Sequence, residues 1–357
     1  MDLLPKPKLK DRVLIYVKAH WPHLLVACLF AIGVVAAVYT NLLQKIYYDR
    51  PGQAIKVIAR TEDPNTRPSP LTGVRVPIDL ADNQVLAVMM ENSPDARPQS
   101  SLSQAGVVFE TVAEGGITRY LALYQETRPK VIGPVRSLRP YYLDWAMGYD
   151  AAIAHAGGSA QALQLATQRK AKSMNGLVYG AGFYRTGDRV APHNLYTSGS
   201  RLDSLATELG YKSSTFTPYT RVRKEKKSAQ PTHTTISVGF SGSLYATTWK
   251  YQAKTNTYAR NLAGSADKDR ENNKQLTVKN LVLIPIKTTY DGTYAVMDTT
   301  SKGSAVLFRD GVAIKGTWQK STPTDMIKLT DSTGKAMQLN PGSTWFAFVP
   351  SHQSYSY

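Results

Sequence analysis

Residues 24–43, LLVACLFAIGVVAAVYTNLL, carry no charged side chain. At about 1.5 Å per residue, a helix of that length spans roughly 30 Å, the hydrocarbon thickness of a bilayer. The run predicts one transmembrane helix. Lys6, Lys8, Lys10, Arg12 and Lys18 precede it, while Lys45, Arg50, Lys56 and Arg60 follow at wider spacing. That bias assigns residues 1–23 to a basic cytoplasmic tail and the bulk of the chain to the outside of a cell membrane crossed once. Trp21, Tyr39, Tyr47 and Tyr48 suit the two interfaces. Leu25-Val26-Ala27-Cys28 has the form of a lipoprotein cleavage site. However, Lys18, His20, Pro22 and His23 interrupt the run before it, and an apolar stretch rather than a polar tether follows. The pattern favours an uncleaved anchor over lipidation of Cys28.

Beyond the span, 357 residues leave room for two folded domains. Residues 44–70 are polar and hold five prolines and glycines that suit a tether: Pro51, Gly52, Pro64, Pro68 and Pro70. Over 71–212, apolar runs at Val85–Met90, Val107–Glu110, Thr118–Tyr124 and Ala151–His155 read as strands. Pro140–Gly148, Ser159–Arg169 and Ser200–Leu209 read as helices. Ser159 and Ser200 are placed to cap, and Gly210 to stop the last of them. Strands alternating with helices predict an α/β domain with helices packed on a mixed sheet. Residues 213–230 form a linker ending in the basic run RVRKEKKSAQ. From 231 to 357 the pattern turns mainly β: HTTISVGF, LYATTWKY, NLVLIPI, TYAVMD, AVLFRDG and TWFAFVP are separated by turn residues. Asp291-Gly292 and Asp310-Gly311 mark hairpins. No internal repeat is present.

Lys and Arg number 43 against 26 Asp and Glu, a net charge of +17, which suits anionic partners. One cysteine excludes a disulfide framework and a cysteine-rich zinc module. The six histidines offer a helix-type pair only at His20/His23, across Pro22, so no metal and no cofactor is expected. An external domain without a basic-aromatic module disfavours nucleic acid as partner.

The residues able to carry chemistry lie between 91 and 197. Arg97, Arg119, Arg136, Arg139, Arg185 and Arg189 sit beside Gly and Pro at expected strand ends, interleaved with Glu110, Glu114, His155, His193 and Asn194. Guanidinium forks match phosphate and carboxylate oxygens, and loops at the ends of a sheet are where ligand groups gather. Glu110 and Glu114 are placed to hold some of these guanidiniums. Glu114 and His193 are the candidates for proton transfer, His193 because it lies in a loop. His155 ends an apolar run, which also fits a satisfied core histidine. Gly157-Gly158-Ser159 lacks the context of a nucleophile elbow, so Ser159 is a cap.

EGGITRYLALYQ, IGPVRSLRPYYLDWA, HAGGSAQAL and FYR…R…APHNLY, in that order, resemble the YerB-type lipoprotein family of bacteria, a two-domain family without an established biochemical function. ARPQSSLSQAGVVFE resembles that family's ARPQSGLSQADIVYE-like stretch, with Ser101 in place of Gly and Gly106 in place of Asp. In the C-terminal half, DRENNKQLTVKNLVLIPI, FRDGVAIKGTW and LNPGSTWFAFVP carry the likeness, which runs from about Leu71 to Pro350. The family typically anchors through a lipidated cysteine, where this chain has the apolar run. The resemblance implies an extracytoplasmic, envelope-associated protein and no particular reaction.

Two functions fit these features. One is binding of an anionic envelope ligand, or of a cell-wall synthesis protein, through an arginine-rich cleft. The other is an enzyme acting on a phosphate-linked envelope substrate. For the latter, TRYLALYQ followed by VIGPVRSLRP is loosely similar to the arginine-bearing strands of LytR-type phosphotransferases. Such enzymes use Mg²⁺ held by acids, which are few here.

Overall fold

Strand β1 (Leu86–Glu91) is apolar to its last residue and buried on both faces, as are β2 (Val107–Val112) and β3 (Thr118–Tyr124). Runs of this kind form the middle of a sheet that is covered on both sides. The computed structural model in which they lie describes residues 63–357, together with Trp21, Pro22 and Val38. The expected basic tail, transmembrane helix, Cys28 and most of the tether therefore lie outside the described residues. Among the described residues no helix is long and apolar enough to cross a membrane.

The first half continues with helix α1 (Pro140–Met147), β4 (Ala152–His155), α2 (Ala160–Gln168), β5 (Ser173–Asn175) and α3 (Gly199–Glu208). The second half supplies β6 (Thr235–Gly239), β7 (Ala246–Gln252), β8 (Thr257–Leu262), β9 (Asn280–Ile286), β10 (Thr288–Asp291) and β11 (Tyr294–Met297). It ends with β12 (Lys302–Arg309), β13 (Val312–Gln319), β14 (Lys328–Asp331) and β15 (Thr344–Pro350). Strand β3 spans the residues its apolar pattern marks. Both Asp-Gly pairs turn hairpins, β10–β11 and β12–β13.

Ten strands form one mixed sheet in the order β14-β13-β12-β9-β15-β2-β3-β1-β4-β5. Strand β15 runs parallel to both β9 and β2 and joins the strands of the two halves. Helix α1 covers one face. There Trp145 of α1 stacks on Phe348 of β15 at 4.1 Å and lies 5.4 Å from Phe109 of β2. The other face is covered by a second sheet built on antiparallel β6-β7-β8, with Trp249 of β7 5.2 Å from Trp345 of β15. The fold is thus mostly β.

Two local readings are corrected. Helix α3 begins one turn position earlier than expected, because the Ser198 hydroxyl, not that of Ser200, accepts from the Arg201 amide at 3.2 Å. The basic segment after residue 220 is not wholly solvated. Arg221 donates to Asn340 O at 2.8 Å and Leu71 O at 2.6 Å, and burial lowers its pKa to about 10. At α2, Ser159 accepts from the Ala162 amide at 3.2 Å as its position predicts. Ser159→Ala is expected to cost about 1 kcal/mol, read as a lower urea midpoint at unchanged slope.

Candidate functional site

Strand β1 ends at Glu91, and β3 begins beside it. Glu91 and Arg119 are direct cross-strand partners, so both side chains leave the same face of the sheet. The neighbouring β2 runs on into Ala113 and Glu114. The segment 132–139 crosses this end, bridging Met90 at Val135 and Gly158 at Leu138. Three elements and one loop thereby bring Arg119, Arg136 and Arg139 to one end of one sheet, with Glu91 and Glu114 among them.

Glu114 is shared by two guanidiniums. It pairs with Arg119 through Oε1 and with Arg139 through Oε2, the latter at 2.8 Å. Arg119 also donates to Ser137 O at 3.0 Å, and Arg139 to Leu138 O at 2.8 Å. Both arginines are buried, whereas the Glu114 side chain keeps 26% of its surface. Burial pushes the Glu114 carboxyl up, but Arg119 and Arg139 outweigh it and hold it below the usual range. Burial and the Arg119 charge in turn lower Arg139. A carboxylate held ionised in this way accepts hydrogen bonds and has no proton to donate near neutral pH.

The second carboxylate, Glu91, is buried. Its Oε1 accepts from the Ser93 hydroxyl at 2.8 Å and lies 3.0 Å from His193 Nδ1. Arg136 Nε is 3.2 Å from the same oxygen but off the hydrogen-bond axis, and Oε2 has no partner. Facing a carboxylate, Nδ1 carries the imidazole proton, which leaves Nε2 as the free nitrogen. That atom lies 4.0 Å from Oδ2 of the exposed Asp95. Among the described residues, nothing accepts a hydrogen bond from the Arg136 guanidinium. Its fork is the open one of the three, and three guanidiniums face two carboxylates.

The other candidates have different roles. Arg189 donates to Ala96 O, Pro98 O and the Tyr196 hydroxyl at 2.7–2.9 Å. Arg185 donates to Asn194 Oδ1 at 2.6 Å, and Asn194 Nδ2 donates to Thr186 O and Arg189 O. These contacts clamp the loop carrying His193 onto the loop after β1. Arg97 bonds Asn92 and lies over the Tyr245 ring at 5.0 Å.

Two candidates do not join this cluster. His155 is fully buried, with Nδ1 2.7 Å from Gly157 O and Nε2 2.8 Å from the Ser173 hydroxyl; burial lowers its pKa. Glu110 points to the opposite face, because it alternates with Thr111, the partner of Arg119. There its Oε1 accepts from Arg260 at 2.7 Å and its Oε2 from Trp345 Nε1 at 3.0 Å. Burial pushes the Glu110 carboxyl up and Arg260 pulls it back. Arg260 also pairs with Asp267 and is walled by the rings of Tyr120, Trp249 and Trp345.

Glu91, Ser93 and Arg260 are the functional or structural polar residues that sequence reasoning passes over. Glu91 had a signal: a lone carboxylate closing the apolar run LAVMM. A hollow of about 640 Å³ lies elsewhere, between 215–220 and 324–337, and is lined by Phe216, Tyr219, Met326 and Met337. None of the candidate residues lines it.

Comparison with known proteins bears on both halves. The family model described as the N-terminal domain of a protein of unknown function, DUF3048, matches residues 71–212, and that of its C-terminal domain matches residues 236–346. A Bacillus subtilis (strain 168) protein named "Putative lipoprotein YerB" is 33% identical over 288 residues, 79% of this chain and 86% of its own. The crystal structure of YerB protein from Bacillus subtilis superposes with a TM-score of 0.73 at 31% identity, covering 81% of this chain and 99% of that one.

Proposed function

The chain belongs to the DUF3048 family, and from that premise we propose that it is a membrane-anchored, extracytoplasmic envelope protein that binds an anionic ligand at the end of its central sheet. The envelope assignment draws on the relative's name as a lipoprotein and on the apolar run at 24–43. The ligand class rests on one observation: Arg136 is held beside buried Glu91 with its terminal nitrogens unengaged, at the same carboxylate oxygen that faces His193 Nδ1. A guanidinium near Glu91 on its Nε side and open at its tips suits a phosphate or carboxylate.

The test uses the full chain in nanodiscs and two probes, poly(glycerol phosphate) and inorganic polyphosphate. Binding is expected to weaken with added salt, since the charges are partly exposed. Arg136→Ala should weaken it by about ten-fold, the effect of one charge-assisted hydrogen bond. Arg67→Ala, remote from the site, should not. Absence of salt-sensitive binding to both probes overturns the reading.

A second reading, an enzyme acting on a phosphate-linked envelope substrate, draws on His193. With Nδ1 oriented by Glu91, Nε2 is placed to take a proton beside an anion-binding fork. Glu114 does not suit the general-acid role, because two guanidiniums keep it ionised. Turnover of a lipid pyrophosphate that is lost in His193→Gln, with polyphosphate binding retained, would favour this reading.

A further inference from the structure

The end of the central sheet away from Glu91 and Glu114 carries a second concentration of positive charge. Strands β2, β9 and β15 run parallel and start level with one another there, at Val107, Asn280 and Thr344. The segment after residue 220 is fastened to this end. The Val222 amide donates to Leu339 O at 2.9 Å, and the Leu339 amide to Thr220 O at 3.0 Å. In the run 223–227, RKEKK, two alternate side chains face the protein. Glu225 accepts from the buried Asn256 at 2.9 Å and from Lys279, the residue before β9, at 2.8 Å. Lys227 donates to Ala253 O at 3.1 Å and Lys254 O at 3.3 Å. Arg223, Lys224, Lys226 and Lys227 are all exposed, as is the adjoining Lys254. The one acid of the run is engaged by Lys279, and none of the five cations forms an ion pair among the described residues. The run is therefore a fixed strip of unneutralised charge rather than a loose linker.

The chain enters the described fold at the same end. Residues 66–68 pair with 75–77 as a short hairpin. Its turn is tied to the strip's root, because Arg221 donates to Leu71 O, and to the start of β15, because the Gly342 amide donates to Thr72 O at 2.9 Å. Residues 44–62 separate this hairpin from the apolar run at 24–43. Fully extended, they reach roughly 65 Å at most, which sets how far the fold can stand from a bilayer holding that run. We propose that the strip rests on an anionic lipid surface, giving the fold a second contact with the membrane and turning the Arg136 end of the sheet away from it. This inference rests on the membrane-anchored part of the reading above. Two observations favour lipid over a soluble polyanion: the strip lies at the end by which the chain enters, and a tethered fold meets the surface at high effective concentration. Clustered Lys and Arg next to a membrane anchor are attracted by acidic headgroups, and long side chains carry the charge into the headgroup layer.

The test places the full chain in nanodiscs of phosphatidylcholine and of phosphatidylglycerol, acetylates the lysines and reads each site by mass spectrometry. Lys224 and Lys226 are expected to react about five-fold more slowly in the anionic discs, the effect on one cation held at such a surface. Lys287, exposed just past the other end of β9, should react equally in both. Salt at about 1 M, where the screening length is about 3 Å, should abolish the difference. Arg223→Glu combined with Lys254→Glu should abolish it too, while the chain still enters the discs. Equal reactivity of Lys224 and Lys226 in the two discs, or slowing as large at Lys287, overturns the contact and leaves the anchor standing. A chain that enters neither disc overturns the anchored reading and the contact together. Slowing by added poly(glycerol phosphate) but not by the anionic disc overturns the contact in favour of a soluble polymer.

Discussion

Arg260→Met lowers the unfolding free energy at pH 7 by about 3–5 kcal/mol, a large share of the 5–15 kcal/mol typical of a domain. Arg260 is fully buried between Glu110 and Asp267, which are themselves buried. Removing the guanidinium leaves two carboxylates without a cation in a wall of Trp and Tyr side chains. The loss comes from stranded charge more than from a lost contact. Lowering the pH should therefore restore part of it. Burial already raises the native pKa values of Glu110 and Asp267 with Arg260 present. Without the cation both rise further, so the native state binds more protons than the unfolded chain. Stability then increases as the pH falls toward the unfolded carboxyl values near 4. Urea titrations at pH 7 and pH 5, followed by tryptophan fluorescence, check this. A variant no more stable at pH 5 than at pH 7, relative to wild type, contradicts the stranded-charge account. Glu110→Gln/Arg260→Met/Asp267→Asn, which carries no charge there, should recover much of the loss.

Glu114→Gln is the other large change, at about 2–3 kcal/mol. It is kept below the fully buried case because a quarter of the Glu114 side chain meets solvent. Arg119 and Arg139 then face each other without the carboxylate that separates them, and Arg139 is already lowered by its neighbour. The pH dependence has the opposite sign to that of Glu110. The native Glu114 pKa is depressed, so its contribution is fully present above the unfolded value near 4.3 and is lost as the pH falls through the native one. Wild-type stability should fall along that acid limb, and the variant should lack this part of the fall. Parallel acid limbs in the two proteins would show that Glu114 is not held ionised by the pair.

The parts of the fold that were legible are those set by local rules. Thr118–Tyr124 is a run of aliphatic and aromatic residues interrupted only by Arg119, and it is strand β3. Ser159 precedes an amphipathic run, and it caps α2. The start of α3 was harder because two serines flank Gly199 and either could cap; only the turn geometry selects Ser198. What local pattern cannot carry is who lies beside whom. TWFAFVP reads as a buried strand, but nothing in it names β9 and β2 as its neighbours. At the site, the convergence of Arg119, Arg136 and Arg139 follows from strand ends, which the Gly and Pro positions do mark. Glu114 does hold guanidiniums, as its position suggested. Glu110, four residues earlier, was given the same role. It holds Arg260 instead, because strand alternation turns it to the other face, and its partner is 150 residues away. His155 completes its hydrogen bonds within the core and has none to offer outside.

The insertion of β15 has a consequence for how this molecule is made. The strand that enters the ten-stranded sheet last along the chain occupies its middle, and the Thr111 hydroxyl donates to Phe348 O across a separation of 237 residues. Until that strand arrives, β2 presents a bare, apolar edge, the kind of surface that invites misassociation. Pairings so remote along the polypeptide close slowly. Folding therefore cannot proceed as two successive, self-sufficient steps during synthesis. A protease that nicks the exposed stretch between the halves should leave both fragments in a single particle, parted only by denaturant.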